Sequence, residues 1–376
     1  MTKKILTMLI VVCAITMFPQ KTFAAETTIE NVADMFELSE TDDKLKGIAE
    51  DSGLDDFSFK DTVIKIVTGE KDFNFSDILK SFLRTAAGGT ADVLYIMKRV
   101  ILLILLSAIL ETLTTSFASS GVSKLGEYIC SAVLIITIMQ SFYYSAQTAA
   151  SAVSNITETT KTLQPLYMII MTATGKATTM SIAVPILYSA TAVITFGIQK
   201  IIIPGIIFAA LITFINSLSE RDMLMELAEL MSFLCKWGVK ICAGLFVFVM
   251  SLIKLGVPNT ALIAGKSIKT AVEAVPVVGS LMSSAAETAA MLTTSMGNSI
   301  AAAAMLFIAL ISIVPVIRLA VIMIIYKLTA ALTQPVASKR IVKCLDRAAD
   351  YAGILTGLVF TTEIMFITVT ALMLAV

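Results

Sequence analysis

Histidine is absent from the 376 residues of this chain, and charged residues make up only 15% of it. A soluble globular domain carries about 25% charged residues, so the chain is poor in the groups that keep a protein in water. Histidine is also the commonest general base and metal ligand near neutral pH. Its absence excludes the usual serine-protease and metalloprotease designs. We therefore expect no enzyme and no metal site.

A phosphate-binding loop is missing as well. Gly265-Lys266-Ser267 resembles the end of such a loop, but Thr260 stands where its first glycine belongs. The sequence thus predicts no cofactor and no nucleotide-driven motor in this chain.

The N-terminus has the layout of a secretory signal peptide over residues 1–25. Lys3 and Lys4 precede 14 apolar residues at 5–18, Pro19 follows, and small residues around Ala24 resemble a cleavage site. An uncleaved signal anchor is the alternative. Both interpretations place the residues from about Glu26 onward outside the cytoplasm.

Residues 26–90 are strongly acidic, since residues 26–80 carry 15 Asp and Glu against six Lys. Apolar residues at helical spacing predict a small helical extracytoplasmic region. Its acids lack the spacing of a calcium-binding loop, so we interpret them as a solvated face. None of the five cysteines lies in this region, which argues against a disulfide framework. We expect Cys235 and Cys242 to be small buried hydrophobic residues on one helix face.

Residues 91–376 are a succession of apolar blocks in a chain that is 57% hydrophobic. A bilayer core about 30 Å thick requires about 20 residues per helix. We predict an all-α polytopic membrane fold with seven or eight transmembrane helices and the C-terminus outside. The candidate spans are 100–119, 128–145, 177–197, 201–219, 241–257, 288–312, 313–335 and 351–376.

A different kind of helix is predicted near 220–240. One mostly charged stripe recurs there at spacings of four and three, at Asp222, Glu226, Glu229, Phe233, Lys236 and Lys240, and apolar residues fill the other positions. This amphipathic pattern is typical of a helix on the bilayer surface or against a partner. Packing on neighbouring helices of the same chain is the alternative.

Prolines and small residues mark two further features of the apolar blocks. Pro185, Pro204 and Pro315 predict interrupted membrane helices. Freed backbone groups at such breaks need partners and form binding sites in transporters, although proline is also common in membrane helices. Gly353 and Gly357 predict a close helix contact, within the chain or in a homo-oligomer.

Several charges fall inside the apolar blocks, and each is a candidate functional residue because a charge in a bilayer is costly. We single out Glu111, Glu363, Arg318 and Lys327. The two glutamates can pair with Arg318 or Lys327, or they can face a polar interior. Some of these charges reach an interface instead if the span boundaries differ.

Three segments carry a family resemblance over essentially the whole chain. They are the entry Lys-Arg-Val-Ile-Leu-Leu at 98–103 with Glu111, the segment from Ala-Val-Pro-Val-Val-Gly at 274–279 to Glu287, and the C-terminal half closing on Glu363. With the signal peptide and the acidic region, they resemble the stage III sporulation protein AE family of endospore-forming bacteria. None of the three is a catalytic signature.

The resemblance implies a subunit of a channel or secretion-like complex that sustains forespore development after engulfment. It implies a place in the mother-cell membrane that surrounds the forespore. The implied partners are other membrane proteins of the complex, a separate ATPase, a forespore protein across the intermembrane space and the lipid bilayer, but no nucleic acid. We expect an export gate or platform. The alternatives are a stand-alone secondary transporter and a non-conducting assembly scaffold.

Overall fold

A computed structural model describes residues 37–52, 54, 57–68, 120–173, 177–218, 224–256 and 278–375, with seven further positions between 95 and 109. These residues form helices joined by turns, and no strand occurs among them. The predicted all-α class is confirmed for the part of the chain that is described.

Two short helices, α1 (Leu38–Asp51) and α2 (Phe59–Thr68), lie in the predicted extracytoplasmic region. The Asp42 carboxylate of α1 accepts hydrogen bonds from the backbone N–H groups of Phe59 and Lys60. The first N–H groups of a helix have no partner within it. Asp42 therefore caps α2 and ties it to α1.

Three long helices form the frame of the molecule. They are α3 (Ser120–Ala173, 54 residues), α7 (Val278–Thr333, 56 residues) and α8 (Lys339–Ala375, 37 residues). At a rise of 1.5 Å per residue, α3 and α7 are each about 80 Å long. Since a bilayer core is about 30 Å thick, both helices extend well beyond a single membrane crossing.

Helices α7 and α8 form an antiparallel hairpin, and α3 runs parallel to α8. The hairpin turn lies at 334–338. The ring centroids of Phe142 in α3 and Tyr351 in α8 are 6.0 Å apart. Further along both helices, the Tyr167 hydroxyl donates a hydrogen bond to Thr370 Oγ1 at 3.4 Å. Because these two contacts occur in the same order along both helices, α3 and α8 run in the same direction.

A second hairpin packs beside this frame. It consists of α4 (Ala177–Gly197), a π-helical turn (Ile198–Ile202), α5 (Ile203–Asn216) and the returning helix α6 (Met225–Gly256). A Cβ atom added at Gly205 would lie 2.7 Å from the Cys235 sulfur, and one added at Gly197 would lie 4.0 Å from the Cys242 sulfur. Gly197 of α4 and Gly205 of α5 thus face the two cysteines of α6. Cys235 and Cys242 do share one helix face, Cys235 is buried, and both thiols are free.

The π-helical turn has a cause in the sequence. The backbone N–H of Ile203 bonds to the carbonyl of Ile198, five residues earlier. Pro204 follows directly, and proline in a regular helix clashes with the carbonyl four residues before it. A wider turn accommodates that ring, so the chain continues from α4 into α5 without a loop.

The close approach of α5 and α6 makes a testable prediction. Gly205→Val is expected to destabilise the protein by about 1–3 kcal/mol, because the added side chain overpacks against Cys235. Gly244→Val is the matched control, since a Cβ there has nothing within 4 Å. Thermal unfolding of both purified variants in detergent checks this. Equal transition temperatures would contradict the packing.

The buried apolar side chains form two clusters along the long helices. The first joins α3, α5, α6, α7 and α8 through Ile138, Phe142, Ile206, Phe214, Phe246, Leu319 and Leu355. The second joins α1 and α2 to the C-terminal half of α3 and the middle of α7 through Leu45, Phe59, Ile156, Leu166, Ile300 and Phe307. The Phe57 and Phe307 ring centroids are 5.0 Å apart. Helices α1 and α2 of the acidic region thus pack onto the long helices.

Five helices in the described residues are long and apolar enough to cross a membrane, fewer than the seven or eight predicted spans. They are Tyr128–Ile170, Pro185–Asn216, Met225–Ser251, Ser295–Thr333 and Lys339–Ala371. Predicted spans merge: 177–197 with 201–219, and 288–312 with 313–335. The described part of the predicted amphipathic helix at 220–240 forms the first half of α6, which continues into the predicted span at 241–257.

The helices run through Pro185 and Pro315, and neither proline ends a helix. Proline removes one hydrogen bond to the carbonyl four residues earlier, and neighbouring groups in a membrane helix bundle can replace it. The expected interruptions are therefore not seen at these two residues, and Pro204 follows a π-helical turn. The signal peptide at 1–25 and Glu111, with most of 100–119, lie outside the described residues.

Candidate functional site

Glu363 lies on α8 inside the helix bundle. Its side chain is 8% exposed. No other residue in the described part of the chain forms a hydrogen bond or an ion pair with its carboxyl group, and the neighbouring Thr362 hydroxyl donates to the Leu358 carbonyl instead. An ionisable carboxyl group buried inside a membrane helix bundle has a high cost in free energy. Packing alone gives no reason for an acid here.

The helix geometry places Glu363 toward α3. Glu363 stands seven residues before Thr370, which is two helical turns on the same face. Thr370 receives the hydrogen bond of Tyr167, and the buried Thr160 stands seven residues before Tyr167 on α3. Because α3 and α8 are parallel, Glu363 faces α3 at about the height of Thr160.

Buried hydroxyl groups without a described partner also lie on α3 and α4. Thr159 Oγ1 of α3 and the Tyr188 and Thr195 hydroxyls of α4 are buried and have no hydrogen-bond partner among the described residues. Buried polar atoms in folded proteins are nearly always hydrogen-bonded to protein or water. Each of these hydroxyls, like the Glu363 carboxyl, is a buried polar group that a bound water or polar solute could satisfy.

The other predicted charges have different surroundings. Lys327 of α7 contacts Asp346 at 2.5 Å and Asp350 at 3.0 Å, both on α8, and all three side chains are about half exposed. The structure thus pairs Lys327 with two aspartates rather than with Glu363. Arg318 of α7 is partly buried, and its Nε atom has no hydrogen-bond partner among the described residues.

Two further cross-helix contacts were not predicted. Arg347 of α8 donates to Glu229 of α6 at 2.8 Å. The Tyr351 hydroxyl lies 2.9 Å from Thr213 Oγ1 and 3.3 Å from the Ala209 carbonyl, both on α5. For the pairs that Lys327 makes, the sequence carried a weak signal, because Asp346 and Asp350 are four residues apart and share a helix face.

The two glycines that predict a close helix contact differ in their surroundings. A Cβ added at Gly353 would lie 3.0 Å from the Met323 sulfur of α7, so this glycine lies at the α7–α8 contact. A Cβ added at Gly357 would have nothing within 4 Å, and Gly357 is exposed.

A polar cavity of about 430 Å³ opens where α1 meets α3 and the π-helical turn. Its lining residues are Lys44, Ser154, Thr157, Glu158, Lys161, Thr162, Pro165 and Gln199. Lys44 also contacts the Glu40 carboxylate at 2.7 Å, and that hydrogen bond lowers the pKa of Glu40. No cluster of three or more His, Cys, Asp or Glu in the described ranges is arranged to hold a metal ion.

Comparison with known proteins gives the family. The model of the family "Stage III sporulation protein AE" matches residues 57–376. A protein named Stage III sporulation protein AE, from Bacillus subtilis (strain 168), is 24% identical over 308 residues, which cover 80% of this chain and 75% of the relative. No solved structure matches the chain. With most of its length matched by the family model, the chain belongs to the stage III sporulation protein AE family.

Proposed function

We propose that this chain is a non-enzymatic membrane subunit of the sporulation complex in the mother-cell membrane around the forespore, and that it contributes a conducting path as export gate or platform. Family membership supports the sporulation role. The observation that carries the conducting role is Glu363, buried in an apolar helix bundle without an ionic partner among the described residues.

Intramembrane ionisable residues are rare, and they typically mark pathways for ions, protons or solutes. The hydroxyls of Thr159, Tyr188 and Thr195 support the same role, because they add unsatisfied polar groups to the interior. With no phosphate-binding loop in this sequence, we propose that a separate ATPase energises the complex. Other membrane subunits and a forespore protein across the intermembrane space are the proposed partners.

A stand-alone secondary transporter is the second candidate, because its substrate sites are also polar groups inside a helix bundle. The two candidates differ in what the isolated protein does. A transporter moves its solute in vesicles containing only this chain, whereas a complex subunit requires the other components.

Deletion of the gene tests the sporulation role. The deletion strain is expected to complete engulfment, to arrest its forespores afterwards and to form no heat-resistant spores, and the wild-type gene restores them. Membrane-stain microscopy follows engulfment and forespore arrest, and spore counts after heating measure the heat-resistant spores. Normal spores from the deletion strain would contradict the proposed function.

A further inference from the structure

We propose that the polar cavity between α1, α3 and the π-helical turn binds the headgroup of a phospholipid that carries a phosphate and a primary ammonium group, as phosphatidylethanolamine does. The charged residues of its lining are Lys44 of α1 with Glu158 and Lys161 of α3, and Gln199 lines it from the π-helical turn. Its volume of about 430 Å³ lies within the range of pockets that bind small molecules.

The cavity lies where two parts of the molecule meet. Lys44 belongs to α1, in the predicted extracytoplasmic region. The other lining residues belong to Tyr128–Ile170 and Pro185–Asn216, two segments that are long and apolar enough to cross a membrane. An exported region meets membrane helices at the surface of the bilayer, where the lipid headgroups lie. A headgroup is therefore the expected polar neighbour of this cavity.

The exposed face of α3 becomes polar on its way to the cavity. Near the start of the helix, Ile129, Val133 and Ile136 are about half exposed. Further along the same face, the exposed residues are Gln140, Tyr143, Gln147, Ser151, Ser154, Glu158 and Lys161. Tyrosine is enriched where membrane helices leave the hydrocarbon region. This order of side chains matches a helix that passes from the lipid tails into the headgroup layer.

An apolar surface lies beside the cavity, as the tails of a lipid require. Phe196 of α4 stands three residues before Gln199, and Val193 stands three residues before Phe196. Residues three apart are neighbours on a helix surface. Both apolar side chains are more than half exposed. Acyl chains that lie along them place their headgroup beside Gln199, whereas a soluble ligand has no use for such a surface.

The charges of the cavity suit a ligand with one positive and one negative group. Glu158 and Lys161 stand three residues apart on α3, yet neither forms an ion pair or a side-chain hydrogen bond with any described residue. Lys44 already contacts the Glu40 carboxylate at 2.7 Å. The lining therefore offers one cation and one anion that lack a described partner. A ligand with a single charge would leave one of them unpaired.

Each group of the proposed headgroup has a counterpart in the lining. Lys161 and the Gln199 amide can donate hydrogen bonds to phosphate oxygens, and the bond from the lysine is the stronger because both of its partners are charged. Glu158 can accept a hydrogen bond from a primary ammonium, which is a donor only. The quaternary ammonium of phosphatidylcholine has no N–H group, and phosphatidylglycerol has no cation for Glu158. The cavity is therefore expected to select phosphatidylethanolamine over both.

Lipid binding to the purified full-length chain tests this site. Native mass spectrometry of the protein in detergent counts the bound lipids while phosphatidylethanolamine, phosphatidylcholine and phosphatidylglycerol with identical acyl chains are added in turn. Glu158→Gln and Lys161→Gln each remove one charge of the lining. Glu226→Gln and Lys236→Gln are the matched controls, since both residues are exposed and neither lines the cavity. Size-exclusion chromatography checks that each variant is folded.

We expect the wild-type chain to bind phosphatidylethanolamine several-fold more tightly than the other two lipids. Lys161→Gln is expected to weaken this binding several-fold, and Glu158→Gln to remove the preference over phosphatidylcholine, while both controls bind as the wild type does. Equal affinities for the three lipids, or tighter binding of phosphatidylglycerol, would overturn the proposed ligand. Wild-type binding by both cavity variants would overturn the proposed site.

Soluble phosphoethanolamine separates a lipid ligand from a free solute, because it carries the same charged groups without acyl chains. We expect it to displace the bound lipid only at a many-fold higher concentration, since it makes no contact with Phe196 or Val193. Displacement at an equal concentration would overturn a lipid as the occupant. Lipid binding does not depend on spore formation, so a failure of the proposed sporulation role is seen separately in the deletion strain.

Discussion

Phe142→Ala is expected to lower the free energy of unfolding by about 3–5 kcal/mol, the usual cost of removing a buried aromatic ring. Phe142 is 1% exposed on α3. Its ring centroid lies 5.7 Å from that of Phe214 on α5 and 6.0 Å from that of Tyr351 on α8, in edge contacts. The ring joins three helices at one point, so no single neighbour can fill the space that alanine leaves.

Tyr143→Ala is the matched control for this prediction, since Tyr143 is the next residue on α3 and is 53% exposed. Each variant loses one aromatic ring, and the two positions are neighbours on α3. Denaturation in detergent, followed by circular dichroism, compares their stabilities. Similar losses for the two variants would contradict the placement of Phe142 at the junction of α3, α5 and α8.

Substitutions at Glu363 are expected to separate stability from function. Glu363→Gln keeps the shape of the side chain and removes its ionisable group, so the melting temperature stays the same or rises. Glu363→Lys adds a longer cationic side chain in the same buried position, and we expect a loss of several kcal/mol or failure to accumulate in the membrane. Thermal unfolding and immunoblots of membrane fractions measure both variants. A strongly destabilised Glu363→Gln protein would show that the acid has a structural role.

The helical class and the apolar segments followed from the sequence because apolar blocks of membrane length have few other folds open to them. The number of membrane-spanning helices did not follow from the sequence. Lys200, Pro204 and the charged positions of α6 resemble the boundaries between spans, yet the chain stays helical through all of them. A continuous helix satisfies its own backbone groups, and that requirement outweighs local composition inside a membrane.

The site was predictable only in part. The sequence marked Glu363 and Lys327, because each interrupts an apolar run. The partners of Lys327 depend on the register of α7 against α8, which no local pattern encodes, and the same holds for Tyr351 and Thr213. The unpartnered hydroxyls of α3 and α4 carried no sequence signal, since threonine is common in membrane helices and often bonds to its own backbone.

The central claim is that a sporulation subunit uses the buried carboxyl of Glu363 in a conducting path. The count of heat-resistant spores tests it most directly, in a strain whose sole copy of the gene carries Glu363→Gln and whose membranes contain as much of the protein as wild type. The account predicts as few spores as in the deletion strain. A wild-type number of spores would contradict it and would favour a non-conducting scaffold.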